Sequence, residues 1–457
     1  MPFNTWIFAI FFIVTLLVHA ALKRTKFWLA WLLIASYFFY GWLNPLYLIL
    51  IAYSTIITYL SGLRLQGSHK KLWLGISITN NLLLLGFFKY AAFVSENLNH
   101  LLGFIHVAAR IPKPGFLLPV GISFYTFISM GYIIDVYRGK VPGERNFIRL
   151  ASFISFFPYL LAGPIERAQN MLPQLSTTPK ITLDNITEGL SLFVVGLFKK
   201  IALADFLALY VNKIYGDPSQ SVGLAPLLAT YGFAWQIYFD FSGYTDMARG
   251  AARLLGFNLM LNFNNPYLST SLGEFWNRWH ISLSSWFKDY LYIPLGGNRH
   301  GRLNTYRNMI VTMLIAGLWH GAAWNFVIWG ALHATGRTVT RELERTRFYT
   351  ERIPKIVKQV FIFHYVCLTW IFFRAETFGK AVTILKKIFT LTYVDPRFSI
   401  AALVFITLVL LYQFMYESRF RRMLELSTVK IGLMVSMILY MVFFRTSGYE
   451  IFLYFRF

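Results

Sequence analysis

The sequence predicts an all-α fold, a polytopic bundle of roughly eleven transmembrane helices. Apolar residues make up 56% of the chain and charged residues 14%, whereas soluble domains have about 45–50% and about 25%. Apolar runs long enough to cross about 30 Å of hydrocarbon recur along the whole length. The clearest runs are Trp6–Leu22, Phe27–Trp42, Pro45–Leu60, Leu72–Phe93, Leu192–Val211, Met309–Trp329, Val357–Phe373, Ile400–Tyr416 and Val429–Phe444.

The formal charge of +23 does not indicate a nucleic-acid partner. The basic residues lie in short clusters between apolar runs, a pattern typical of topology signals and of contacts with the anionic headgroups of a lipid bilayer. The first apolar run is followed by the cluster Lys23–Lys26 and has no positive charge before it. We therefore interpret it as a membrane span and not as a cleaved signal peptide. The positive-inside rule places the N-terminus outside and Lys23–Lys26 in the cytoplasm.

The chain is interpreted as a single integral-membrane domain, residues 1–457, with three regions. Residues 1–113 contain plain apolar spans at the periphery. In residues 114–335, Gly, Pro and polar residues interrupt the apolar runs, and residues 355–457 return to plain spans. Irregular backbone at membrane depth is tolerated only where protein buries it or water lines it. The middle region is therefore the predicted catalytic core.

One segment of this core, Leu272–Pro294, is too polar to cross lipid. It is rich in tryptophan, which favours an interfacial or re-entrant position. Asn277, His280 and Ser284 are spaced at i, i+3 and i+7, so they would share one face of a helix formed there.

His320 is the strongest candidate for chemistry, because ionisable groups inside apolar runs are costly and often functional. Trp319, Trp324, Asn325 and several small residues surround it in the sequence. The small residues would leave room for a substrate, and a desolvated neutral imidazole can act as a general base. The alternative is a buried histidine bonded to a backbone carbonyl, with the small residues serving helix packing.

The remaining polar residues of the core give weaker signals. His280 is a second candidate, although aromatic-flanked histidines are common at interfaces. Asp240 and Asp246 flank Ser242 and Gly243, which suggests a helix break, and a structural ion pair is the favoured role for Asp246. The other histidines lie in or near loops or, like His333, are lone residues at or near span ends. No metal-ligand spacing is present, and the single cysteine excludes an intramolecular disulfide.

Several long segments resemble signature segments of the membrane-bound O-acyltransferase family, and within it the branch that O-acetylates alginate. They occur in the order typical of that family, and the resemblance covers roughly residue 119 to the end. The segments are LPVGISFYTFISMGYIIDVYRG, FFPYLLAGPIERA, YFDFSGYTDMARGAARLLGF, FNNPYLSTSLGEFWNRWHISLSSWFKDYLYIPLGGNR, AGLWHGAAWNFVIWG, WIFFRAETF and the C-terminal FLYFRF.

The resemblance implies a site and a reaction. His320 matches the catalytic histidine of the family and His280 its second motif position, both along a central tunnel through the bundle. The implied donor is a cytoplasmic thioester, acetyl-CoA, with no cofactor or metal, and the implied partner is an extracytoplasmic SGNH-type enzyme. The implied location is a bacterial inner membrane. The residues expected to line the substrate site or tunnel are Asn277, Ser284, Trp319, Trp324, Asn325 and Asp240.

Two alternatives remain open from the sequence. One is a transporter of an acyl donor or glycan, in which the histidines form a proton relay. The other is an acyltransferase of the same family that acts on a lipid, a protein or teichoic acid. The bulky aromatic residues around His320 favour a short acyl group over a long one.

Overall fold

The computed structural model describes residues 1–115, 118–390, 395–444 and 452–453. Within these ranges the chain is helical and contains no β-strand. The α-helices are α1 (Trp6–Leu22), α2 (Trp28–Gly41), α3 (Tyr47–Arg64), α4 (Lys70–Phe104), α5 (Ile122–Tyr137), α6 (Phe147–Ser155), α7 (Phe157–Leu160), α8 (Ala168–Ser176), α9 (Leu183–Phe198), α10 (Asp205–Gly216), α11 (Ala225–Leu254), α12 (Leu272–Arg278), α13 (Ile281–Phe287), α14 (Gly301–His320), α15 (Trp324–Leu343), α16 (Lys355–Arg374), α17 (Phe378–Phe389), α18 (Ile400–Tyr416), α19 (Arg421–Leu424) and α20 (Ser427–Phe443). The prediction of an all-α fold is confirmed for these ranges.

Three of these helices, α3, α4 and α16, are long and apolar enough to cross a bilayer. Five shorter helices are also apolar: α1, α2, α5, α18 and α20. Large apolar side chains on their surfaces, such as those of Trp6 and Leu83, are exposed, as expected where lipid is the solvent. The number of spans, roughly eleven, stays a prediction.

The chain divides into two compact units. The first comprises residues 1–189, 251–260 and 321–323. Phenylalanine side chains form part of its core: the ring centroid of Phe157 lies 5.2 Å from that of Phe11 in α1 and 5.5 Å from that of Phe39 in α2. The prediction of one domain over residues 1–457 stays a prediction.

The second unit comprises residues 190–250, 261–320 and 324–457. Its helices α14 and α15 form a hairpin in which glycines allow the two backbones to meet. A Cβ atom added at Gly317 would overlap the carbonyl oxygen of Phe326, and one added at Gly330 would overlap that of Met313. These two glycines therefore serve helix packing, and for Gly317 this agrees with the alternative interpretation of the small residues around His320.

The helix break expected at Ser242 and Gly243 does not occur. Helix α11 continues through both residues. Gly243 instead allows α11 to lie close to the backbone of residues 196–200. A Cβ atom at Gly243 would lie 2.8 Å from the carbonyl oxygen of Gly196 and 3.2 Å from the amide nitrogen of Lys200. That expectation was wrong, since the glycine provides space between helices and does not interrupt one.

The single helix face expected for Asn277, His280 and Ser284 is also absent. The chain breaks between α12 and α13, where His280 adopts the left-handed conformation with φ of 43°. On either side of the break the backbone bonds to another segment: Ile281 N–H donates to Asn262 O over 2.9 Å, and Asn264 N–H donates to Arg278 O over 2.9 Å. These bonds replace the helical hydrogen bonds that a continuous helix would have made.

Candidate active site

His320 is the last residue of α14 and lies in an aromatic enclosure. Its side chain is only 5% exposed. The centroid of its imidazole lies 4.9 Å from that of Trp319, 5.0 Å from that of Trp329 and 5.1 Å from that of Phe373, each with an edge-to-face geometry. Three rings from α14, α15 and α16 therefore surround the imidazole and limit the access of water to it.

His280 is completely buried at the break between α12 and α13. Its Nδ1 lies 3.2 Å from Oδ1 of Asn262. The same oxygen accepts hydrogen bonds from the backbone N–H of Ser282 over 3.2 Å and from its hydroxyl over 2.8 Å. A backbone N–H can only donate, so the atom of Asn262 that faces His280 is its carbonyl oxygen.

This arrangement fixes the tautomer of His280. Because Oδ1 of Asn262 is an acceptor, Nδ1 of His280 must carry a proton and donate it. Burial lowers the pKa of the His280 imidazole to about 3, so the ring is neutral near pH 7. In a neutral ring with a proton on Nδ1, Nε2 is the acceptor. His280 can therefore receive a hydrogen bond from a hydroxyl or amide group.

Trp319 brings the two histidines into one site. Its ring centroid lies 4.9 Å from that of His320 and 6.1 Å from that of His280. Phe241 of α11 packs edge-to-face on His280 at 4.7 Å. The second unit thus places His280, His320 and Trp319 together.

The other residues expected at the site occupy varied positions. Asn277 is exposed, and Trp324 is 59% exposed. Ser284 donates its hydroxyl hydrogen to the carbonyl oxygen of Trp279 over 3.0 Å, at the helix break. Asn325 is buried, and its side-chain amide donates to the carbonyl oxygen of Ala375 over 2.8 Å. Ser284 and Asn325 thus make bonds that hold the backbone around the site.

Asp240 belongs to a buried ion pair. Its Oδ1 lies 2.8 Å from Nζ of Lys200, and its Oδ2 accepts the backbone N–H of Leu453 over 2.8 Å. Lys200 also lies 2.7 Å from Oδ1 of Asp205. Asp246 pairs with Lys199 at 2.7 Å, in keeping with the structural role favoured for it. Of the C-terminal motif, residues 454–457 lie outside the described residues.

Two polar residues at this site were not among the candidates from the sequence. Asn262 fixes His280, although it lies 18 positions earlier in the chain. His333 of α15 is fully buried, and its ring lies 4.6 Å from Trp329, which also contacts His320. Trp329 and His333 are four residues apart on one helix, and this spacing is a sequence signal that could have linked His333 to the site.

Metal-binding side chains do not cluster in the described part of the chain, where no group of three or more His, Cys, Asp or Glu residues could hold an ion. The site consists of two buried imidazoles, an amide that orients one of them, and aromatic walls. Such a set can bind a hydroxyl group and remove its proton in a water-poor environment.

Comparison with known proteins finds a family model and relatives that are named as acyltransferases, acetylases, acetyltransferases or alanyltransferases. Residues 141–375, which include His280, His320 and His333, match the sequence model of the membrane-bound O-acyltransferase family. A probable alginate O-acetylase of Azotobacter vinelandii is 41% identical over 83% of this chain and 76% of its own length. A peptidoglycan O-acetyltransferase of Helicobacter pylori is 36% identical over 81% and 75%, and a teichoic acid D-alanyltransferase of Bacillus subtilis is 28% identical over 60% and 73%.

Proposed function

Because the chain belongs to the membrane-bound O-acyltransferase family, we propose that it transfers acetyl groups from a cytoplasmic thioester, acetyl-CoA, for the O-acetylation of an extracytoplasmic polysaccharide. The relatives that cover most of the chain are named for alginate and peptidoglycan O-acetylation, and they support a polymeric sugar as the final acceptor. The proposed location is a bacterial inner membrane. The observation that carries the proposal is the pair of buried imidazoles joined by Trp319.

In the proposed reaction His320 acts as the general base. It removes the proton of the attacking hydroxyl as the hydroxyl oxygen bonds to the thioester carbonyl carbon. The carbon–sulfur bond then breaks, and the thiolate leaves with the proton that His320 returns. The aromatic enclosure supports this role, because a site poor in water disfavours hydrolysis of the donor.

His280 is proposed to orient the acceptor. Its Nε2 can accept a hydrogen bond but cannot donate one while Asn262 holds the proton on Nδ1. An oxyanion needs donors, so stabilisation of the negative charge is better assigned to other groups. The attacking hydroxyl has one hydrogen, which it gives to His320, so Nε2 of His280 would hold a different donor group of the acceptor, such as a neighbouring hydroxyl or an amide N–H. The proposed immediate acceptor is either the sugar or an extracytoplasmic SGNH-type partner that completes the transfer.

The assignment of His320 is tested by the substitution His320→Ala. We expect a loss of polymer acetylation of about 10²–10⁴-fold, the usual contribution of a general base. The acetyl content of the polymer is measured by mass spectrometry, and the amount of inserted protein by immunoblotting of membranes. His69→Ala is the matched control, because His69 is an exposed histidine of the first unit. Near-normal acetylation by a well-inserted His320→Ala variant would contradict the assignment.

A second test separates acyl transfer from transport of an intact donor. Sealed inside-out vesicles that contain the acceptor or partner receive acetyl-CoA labelled in both the acetyl and CoA parts. We expect the acetyl label to reach the lumenal acceptor while the CoA label stays outside, because only the acetyl group leaves the thioester. Vesicles that contain the His320→Ala variant should transfer no acetyl label to the lumenal acceptor. Lumenal CoA that accumulates in step with acetyl would instead support a transporter.

A further inference from the structure

His333 and Thr369 form a buried polar contact between α15 and α16. Both side chains are fully buried. Nε2 of His333 lies 3.0 Å from Oγ1 of Thr369, and the Thr369 hydroxyl donates its own hydrogen to the carbonyl oxygen of Val366 over 2.7 Å. Because the hydroxyl has one hydrogen and has given it away, it must accept from His333. The hydrogen bond is therefore donated by Nε2–H of His333 and accepted by Oγ1 of Thr369.

This bond lies one helical turn from two of the walls around His320. On α15, Trp329 and His333 are four residues apart, and on α16 Thr369 and Phe373 are four residues apart. Residues with this spacing stack along one face of a helix. Thus His333 of α15 contacts Thr369 of α16, and one turn away Trp329 of α15 contacts Phe373 of α16, with ring centroids 5.6 Å apart. The imidazole of His320 packs against the rings of both Trp329 and Phe373.

We infer that His333 is a positioning residue for acyl transfer: its hydrogen bond to Thr369 sets α15 against α16 and so holds Trp329 and Phe373 as the walls that orient His320. The inference rests on the proposed role of His320 as base. A buried polar pair is sensitive to register, since a shift of either helix would leave a buried donor or acceptor unsatisfied, which is unfavourable in a buried site. Packing between apolar rings alone lacks this directional requirement.

The test uses three variants of the full-length protein and one control. Thr369→Val removes the acceptor with little change in shape, and His333→Leu removes the donor. His333→Gln keeps an N–H donor at nearly the same reach. Thr126→Val is the matched control, because Thr126 is also fully buried and also donates to a carbonyl of its own helix over 2.7 Å, in the first unit.

Two quantities are measured for each variant. The first is acetyl transfer from acetyl-CoA, resolved into kcat and KM. The second is the rate of hydrogen–deuterium exchange at the C2 carbon of each histidine ring, read by mass spectrometry, which reports the surroundings of His320 whether or not the protein is active.

We expect Thr369→Val and His333→Leu to lower kcat by about tenfold or more with KM close to wild type, since small misplacements of a catalytic group can cost up to about 10²-fold. Exchange at the His320 ring should become faster in the same two variants. His333→Gln should retain most of the wild-type kcat and exchange rate, and Thr126→Val should match wild type in both. If His333→Leu does not fold, Thr369→Val still decides the question.

Unchanged exchange at His320 in Thr369→Val would overturn the inference, even if kcat falls, because the effect would then arise elsewhere. An equal loss in Thr126→Val would also overturn it. Failure of the proposed function would look different: the wild type would transfer no acetyl group from acetyl-CoA, while the exchange rates would still show whether His333 and Thr369 hold His320.

Discussion

At the residue scale, Asn262 determines what His280 can do. Its carbonyl oxygen receives one hydrogen bond from His280 and two from Ser282, so it fixes both the position and the tautomer of the imidazole. The group that orients His280 is thus a neutral amide and not a carboxylate. A carboxylate in the same place would favour the charged form of the histidine.

The burial of His280 makes the stability of the protein depend on pH. Its pKa is lowered from 6.5 to about 3 by desolvation, so between these pH values the unfolded chain binds a proton that the folded chain does not. The free energy of unfolding therefore falls as the pH is lowered from 6.5 towards 3. The folding equilibrium constant decreases by up to about tenfold for each pH unit in this range. His280→Asn cannot titrate and should lack this contribution.

Unfolding temperatures of the detergent-purified wild type and His280→Asn at pH 7.5 and pH 5 check this prediction. We expect acidification to lower the unfolding temperature of the wild type more than that of the variant. Contributions from other titrating groups occur in both proteins and cancel in the comparison. Parallel shifts in the two proteins would show that His280 is hydrated enough to titrate normally.

The sequence indicates His320 and His280 as candidates, and their catalytic roles stay predictions, but it does not indicate Asn262 or His333. His320 could be singled out because an ionisable group inside an apolar run is costly, and His280 because its segment resembles a signature segment of the family. Asn262 and His333 could not, because their significance depends on contacts across 18 and 36 positions of the chain. Such contacts depend on how the helices pack against each other, and the residue spacing within one segment does not contain that information.

At the scale of elements, the α14–α15 hairpin depends on glycine at two positions. At Gly330 a methyl group would overlap the carbonyl oxygen of Met313, so Gly330→Ala must push the helices apart. Overpacking of this kind costs about 1–3 kcal/mol. We expect a lower unfolding temperature and reduced acyl transfer, because His320 and Trp329 lie on the two helices.

Gly86→Ala provides the control for this prediction. Gly86 lies within α4 and has no neighbouring atom within 4 Å of an added Cβ. Alanine is favoured over glycine in helices by about 1 kcal/mol, so this variant should be as stable as the wild type or slightly more so. The thermal unfolding of Gly330→Ala and Gly86→Ala is compared by heating each variant and measuring the remaining folded protein by size-exclusion chromatography. Equal behaviour of Gly330→Ala and Gly86→Ala would mean that the hairpin can separate without cost.

The break between α12 and α13 shows the limit of helical periodicity as evidence. The spacing of Asn277, His280 and Ser284 satisfies a helix, yet the backbone at His280 pairs with the segment around Asn262. Local spacing describes only what a helix would place together if it formed. A hydrogen-bonding partner that is distant in sequence can offer the backbone an equally good alternative.

At the scale of the whole molecule, composition was sufficient to predict a helical membrane protein. Hydrocarbon requires every backbone polar group to be satisfied within the chain, and helices achieve this locally. The limits of individual helices were less predictable: α4 extends over Lys70–Phe104, well beyond the apolar run Leu72–Phe93. Its last turns are more polar, so hydropathy alone does not show where the helix ends.

The topology of the first spans can be tested by cysteine labelling. With Cys367 replaced by alanine, which suits its buried position, single cysteines are introduced at Thr25 and Asn44. The basic cluster beside Thr25 predicts a cytoplasmic position, and the turn that contains Asn44 should face outward. On intact cells an impermeant maleimide should therefore label Asn44→Cys and not Thr25→Cys. The reverse pattern would invert the proposed orientation.

The left-handed backbone at His280 also limits how this position can change during evolution. Bulky and β-branched residues are strained at positive φ, whereas Asn, Asp, His and Gly tolerate it. In the genetic code, one nucleotide change converts a histidine codon into one for asparagine or aspartate, while glycine requires two. The changes that are both sterically tolerated and readily reached thus introduce another hydrogen-bonding side chain, so mutation at this position tends to exchange one polar group for another and keep the site polar.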